Sequence, residues 1–235
     1  MMKQRTIAAL KCVVFPLCLV PAGMLLRRAL HEDLGADPVA EITHVTGRWA
    51  LYMLLAALAV TPVRRLWSGL AWVGRFRRML VLFAFFYATL HLLTYVLLFS
   101  GLDVPGAWAA IAARDWHGFA QLWVGPWQTM QTDVLKRRFI WAGLSAWTLL
   151  MLLAVTSPVF VLRWMGGKNW RRLHWAVYAA GLLAVVHFWW LVKPGVTRPM
   201  RPTLIFSALI LARVAWWAKE QVKARRRPAA KAAAA

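Results

Sequence analysis

Residues 173–193 read LHWAVYAAGLLAVVHFWWLVK, an apolar run with a histidine near each end. On a helix the 13 residues from His174 to His187 span roughly 20 Å, most of a hydrocarbon core about 30 Å thick. An imidazole in that environment needs a partner: ionisable groups in membrane helices face bundle interiors and mark proton relays, substrate paths or cofactors. Neutral imidazole is also a common metal and haem ligand. A second apolar run, YATLHLLTYVLL at 87–98, carries His91 near its middle. Three histidines inside apolar helices point to b-type haem and to electron transfer across a membrane.

Composition fixes the class. The 235 residues are 61% hydrophobic with sixteen tryptophans, and only 16% are charged, well below the roughly 25% of soluble domains. This is the composition of an all-α integral membrane protein. The net charge of +21 does not describe a nucleic-acid binder, because the basic residues lie between apolar blocks and act as topology signals. Cys12 and Cys18 fall on different faces of the first apolar run and indicate neither a disulfide nor a metal site.

Six segments are long and apolar enough to span or nearly span a bilayer: 8–26, 47–63, 79–100, 139–157, 173–192 and 202–218. They predict one transmembrane domain, a six-helix bundle over the whole chain, followed by a basic tail at 219–235 expected to be disordered. The first segment resembles a secretory signal, yet it lacks a small-x-small cleavage site ahead of Arg27 and Arg28 and is taken as a membrane helix. With the N-terminus inside, the cytoplasmic pieces hold eighteen Lys and Arg against the single acid Glu220, and the other seven acids lie outside. That bias predicts an N-in, C-in topology.

Several local readings follow. Asp37 before Pro38 is an N-cap with proline at the first helical position, so the second helix starts outside the membrane; His44 near that start reads as solvated or hydrogen-bonded, with a role at a cofactor edge as the alternative. The arginine-rich stretch 64–78, with Trp67 and Trp72, reads as an inner anchor, or as a cradle for an anionic group. Around His91, Tyr87, Ala88, Thr94 and Tyr95 form a small and polar stripe that belongs in a bundle interior. The external connection 101–138 is expected to carry a short interfacial helix with Trp116, Phe119 and Trp123 on one face. In the fifth span Ala176, Ala180 and Ala184 leave room for a flat ring. At 100° per residue His174 and His187 turn through a net 220°, so either the helix is distorted or the two rings address different partners.

Depth pairs the histidines. His91 and His187 lie at levels that agree within about one helical turn, in the outer half of the membrane. His174 lies near the inner surface, where the third helix offers Arg77 and Arg78. An outer haem held by His91 and His187 is the reading, with an inner haem, flavin or quinone site at His174 as the lesser one.

The blocks LGADPV and THVTGRWAL, TPVRRL, RRMLVL and YATLHLLTYVLL, RRLHWAVY and HFWWLVK resemble, in matching order from about 34 to 218, the haem-binding membrane subunits of the periplasmic protein-methionine-sulfoxide reductase system (MsrQ/YedZ type), within the ferric-reductase-like transmembrane group. The resemblance implies a multi-pass protein of the bacterial inner membrane carrying haem b, with iron ligands at His91, His174 and His187, and FMN as a further cofactor. It implies a non-catalytic electron-transfer subunit, passing electrons from quinol or a cytosolic flavin reductase to a periplasmic molybdenum-cofactor catalytic subunit that repairs oxidised methionines. The connection 101–138 is longer than typical, and the third helix lacks the second histidine of the oxidase relatives. Two rival readings remain: a stand-alone ferric or quinone reductase, disfavoured because no nucleotide-binding GxGxxG unit is present, and a cofactor-free transport or assembly protein, for which an internal repeat is expected and none is evident.

Overall fold

The computed structural model describes residues 4–232, with side chains through 224. The described chain folds into helices throughout: α1 (Gln4–Leu30), α2 (Pro38–Leu66), a 3-10 segment (Ser68–Phe76), α3 (Arg77–Thr94) ending in one π turn (Tyr95–Phe99), α4 (Val104–Ala112), α5 (Trp116–Leu122), α6 (Val124–Lys136), α7 (Arg138–Val155), α8 (Val159–Met165), α9 (Gly167–Leu173), α10 (Ala176–Leu191) and α11 (Met200–Ala232). Among the described residues, five stretches are long and apolar enough to cross a bilayer: Gln4–Leu30, Pro38–Leu66, Ser68–Phe99, Arg138–Val155 and Gly167–Leu191. The stretch 202–218 lies inside α11, where Arg213 interrupts the apolar run.

Helix α2 starts where the sequence places it. The Asp37 side chain accepts a hydrogen bond from the Ala40 N–H at 2.9 Å, and proline follows it. The same device recurs outside the bundle, where Asp103 and Asp115 cap α4 and α5 through the N–H groups of Gly106 and Gly118. The connection 101–138 is thus three short helices, α4 to α6, where the sequence suggested one.

The core forms where α2, α3, α7 and α10 meet. Leu54, Leu58, Ala84, Tyr87, Leu153 and Ala180 are all essentially inaccessible. Lipid tails are as apolar as these side chains, so association rests on close packing and on interhelical hydrogen bonds. Gly181 illustrates the first: a Cβ there would lie 2.7 Å from the Phe206 ring, so its absence lets α11 press onto α10. Tyr87 illustrates the second. Its hydroxyl donates to the Cys18 carbonyl at 2.7 Å and accepts from the Ala22 N–H at 3.2 Å, the two groups an undistorted helix would bond to each other. Pro16 and Pro21 weaken α1 around that point. Elsewhere α1 turns Val13, Leu17, Val20 and Met24 outward, as a helix facing lipid does.

Three expectations need correction. The fifth span is not one helix from 173: α9 ends at Leu173, and α10 begins at Ala176 after a turn at His174 and Trp175. The stretch 64–78, a connecting loop by sequence, folds as the end of α2, a 3-10 segment and the start of α3. The basic tail continues as helix to Ala232 instead of ending in coil; its Ala, Lys, Arg and Gln residues have the highest helix propensities. Residues 233–235 of that tail lie outside the described residues.

Candidate metal centre

His91 on α3 and His187 on α10 face each other across the bundle with ring centroids 6.0 Å apart and ring planes at 88°. Each ring is fixed through its other nitrogen. His91 Nδ1 lies 2.9 Å from the Thr43 carbonyl of α2, and His187 Nδ1 lies 2.7 Å from the Phe139 carbonyl of α7. A carbonyl only accepts, so each Nδ1 carries the proton and each Nε2 keeps its lone pair. This is how proteins prepare imidazole as a metal ligand: the second nitrogen is tied to a carbonyl that sets the tautomer and orients the ring.

Two glycines make the anchoring possible. A Cβ at Gly47 would sit 3.0 Å from His91 Nδ1, and one at Gly143 would sit 2.7 Å from His187 Nδ1. Each histidine therefore lies directly on the backbone of the neighbouring helix. Sequence reading missed the ring-facing role of both glycines and missed both carbonyls; the signal available was the spacing of 44 residues from each glycine to its histidine.

The spacing of the rings suits one metal between them. With metal–nitrogen bonds of about 2.0–2.1 Å and ring centres about 1.1 Å behind the nitrogens, two opposed imidazoles sit roughly 6.3 Å apart. Among the described residues no three His, Cys, Asp or Glu side chains converge, so the remaining ligands of such a metal must come from outside the protein. A porphyrin supplies four in one plane and leaves two axial positions, the number of imidazoles here. The donor set fits haem.

His174 is placed differently. It ends α9, its Nδ1 lies 3.1 Å from the Trp170 carbonyl of its own helix, and its ring stacks on Trp170 at 3.7 Å and 24°. Its Nε2 is buried without a hydrogen-bond partner among the described residues. Both readings left open for His174 and His187 are met: the helix is broken at His174 and Trp175, and the two rings contact different groups. Nearby, Arg213 of α11 donates to the Leu58 carbonyl at 2.7 Å, lies over the Tyr178 ring at 5.0 Å, and keeps a buried, unpartnered Nε. His44 is exposed. The alanine stripe of α10 does not leave ring space along its length, since Ala180 is fully buried in the core.

Toward the C-terminal end of α3, Tyr95 lies one turn beyond His91 and donates to Asp133 of α6 at 3.1 Å, and Asp133 also pairs with Arg137 at 2.9 Å. A cavity of about 550 Å³ opens there, lined by Ser100, Gln128, Thr129, Thr132 and Asp133 among others.

The model of the ferric reductase like transmembrane component family matches residues 46–185, which include His91 and His174 and end two residues before His187. A protein from Xanthomonas axonopodis pv. citri (strain 306), named protein-methionine-sulfoxide reductase heme-binding subunit MsrQ, is 40% identical over 226 residues, covering 94% of this chain and 90% of its own. This chain belongs to the MsrQ family. MsrQ proteins of the same name from Xanthomonas oryzae pv. oryzae (strain MAFF 311018) and Herminiimonas arsenicoxydans are 43% identical over 86% of the chain and 39% identical over 89%. These matches cover 79% and 87% of the two relatives, so the likeness to MsrQ extends well beyond the histidine-bearing helices. No solved structure matches the chain.

Proposed function

We propose that this chain is the haem b electron-transfer subunit of a bacterial inner-membrane system that repairs oxidised protein methionines, with His91 and His187 as the axial ligands. It is a non-catalytic member of an oxidoreductase pair. The observation that carries the reading is the pair of imidazoles from separate helices, 6.0 Å apart, each with Nδ1 held by a third and fourth helix.

Bound haem b supplies a one-electron carrier. The protein supplies its setting. The Thr43 and Phe139 carbonyls hold both rings in the Nδ1–H tautomer and raise the basicity of Nε2, which favours the oxidised iron. The apolar bundle keeps water from the iron and lowers the local dielectric. The MsrQ architecture is read as a single six-helix domain over 1–235, N-in and C-in, with α11 as the sixth span; the inner excess of Lys and Arg supports that orientation.

The orientation puts His91 and His187 in the outer half, so electrons leave outward, toward a periplasmic molybdenum-cofactor catalytic subunit docked over α4 to α6. Electrons enter from the inner side, from quinol or a cytosolic flavin reductase. His174, with its free Nε2, and the neighbouring Arg213 are the side chains suited to that entry, as ligand to an inner cofactor or as contacts to FMN, whose phosphate would meet the guanidinium.

The test is spectroscopic. Protein purified from membranes should show a Soret band and the sharp α band of six-coordinate low-spin haem b on reduction. Pre-reduced protein should reoxidise when the periplasmic catalytic subunit and methionine sulfoxide are added together. Absence of haem removes the proposal; reoxidation by ferric chelates alone, with none by the catalytic subunit, makes the protein a stand-alone reductase.

A further inference from the structure

The two ligand histidines sit in a repeated unit. The motif G-x2-A-x3-L occurs at 47–54 on α2 and at 143–150 on α7; the motif A-x3-A-x2-H occurs at 84–91 on α3 and at 180–187 on α10. All six positions recur at one offset of 96 residues. The equivalence is structural as well. Each histidine bonds a carbonyl 48 residues earlier in the chain, lies against a glycine 44 residues earlier, and stands seven residues beyond an alanine with no exposed surface, Ala84 or Ala180.

The connectors argue that the register is inherited by the unit and not imposed by the loops. A single 3-10 segment joins α2 to α3, whereas α8 and α9 join α7 to α10, yet the distance from glycine to histidine is the same in both. The one unlike pair is Thr43 and Phe139. There the acceptor is a backbone carbonyl, which any residue supplies, so the side chain is free to diverge. The repeat missed in the sequence is thus a parallel one, both copies running inward and then outward.

We propose that α2–α3 and α7–α10 are two copies of one ligand-presenting hairpin, and that Gly47 and Gly143 are its positioning residues, setting the planes and tautomers of His91 and His187. The reason is steric. A methyl group at either position meets the ring nitrogen that makes the anchoring bond, at 3.0 Å for Gly47 and 2.7 Å for Gly143. The helix backbone cannot yield, so the ring must turn or α3 or α10 must shift, and the Nδ1–carbonyl bond is lost. Position 143 is the tighter and its substitution has the larger effect. At the inner end the copies have diverged, because the residue equivalent to His174 is Arg78.

The inference rests on the haem reading, and two measurements keep the failures apart. In the haem-loaded full chain, Gly143→Ala and Gly47→Ala should move the low-spin EPR signal, which reports the angle between the imidazole planes, and the midpoint potential. Haem affinity should fall roughly 10–100-fold, as when a ligand loses its outer hydrogen bond. Gly23→Ala and Gly69→Ala, whose added methyls meet nothing within 4 Å, should leave all three unchanged. In haem-free wild type, ¹⁵N shifts should report both histidines protonated at Nδ1, a readout that needs neither haem nor the variants to accumulate. Wild-type EPR signal, potential and affinity in both variants overturn the assignment, and so does an Nε2-protonated tautomer in the haem-free chain. A wild-type protein without haem sinks the functional reading, while the ¹⁵N result still decides the cradle.

Discussion

The two ends of the bundle hold histidines of opposite character. At the His91 and His187 end, each ring is anchored to a different helix from the one that carries it and meets a second imidazole. At the opposite end, His174 bonds and stacks within its own short helix, and its free nitrogen meets no partner among the described residues. The lesson is that depth in an apolar span does not make a ligand pair. What makes one is a carbonyl on a neighbouring helix, a glycine that lets the ring reach it, and a partner ring at the same level.

The strongest way to break the comparison is to remove the rings one at a time. His187→Ala or His91→Ala takes away one of the two proposed iron ligands and leaves a single imidazole facing a gap, so haem content per polypeptide should fall at least several-fold while the protein still inserts. Pyridine haemochrome against total protein measures it. Undiminished haem in both variants would refute the pairing.

A gentler test lies at the inner end. His174→Phe keeps a ring to stack on Trp170 and deletes only the nitrogens. The signal of a haem held by His91 and His187 should persist at full intensity, while reduction by the proposed donor slows. A loss of the outer signal as large as that of His187→Ala would erase the distinction between the two ends.

Much of this was legible from the chain. The long apolar spans, the Asp37 cap, and the equal depth of His91 and His187 follow from length, turn chemistry and helix rise, and these are local or nearly so. The expected stripe around His91 is real in part: Tyr87 and Thr94 are buried. The carbonyl anchors were not legible, because a backbone acceptor carries no side-chain signature. The turn at His174 and Trp175 was hidden for a related reason, since the apolar run continues through it without glycine or proline. Ala180, beside Gly181, was read as space for a ring; small residues in a membrane helix serve close approach just as well, and only the position of Phe206 against Gly181 distinguishes the uses.

The smallest expected effect concerns the helix that carries none of these histidines. Tyr87 lies one turn inward of His91 on α3, and its hydroxyl is the tie to α1. Tyr87→Phe removes that tie without opening a cavity, because the ring stays. The Cys18 carbonyl and Ala22 N–H can then bond each other as α1 straightens, so the cost is the net value of about one or two hydrogen bonds, roughly 1–2 kcal/mol. Thermal unfolding in detergent should record a modest loss, with haem content and the EPR signal unchanged, because the anchors of His91 and His187 belong to α2 and α7 and not to α1. A shift in the haem signal would mean that α1 bears on the ligand pair and that the outer site depends on more than the two repeated hairpins.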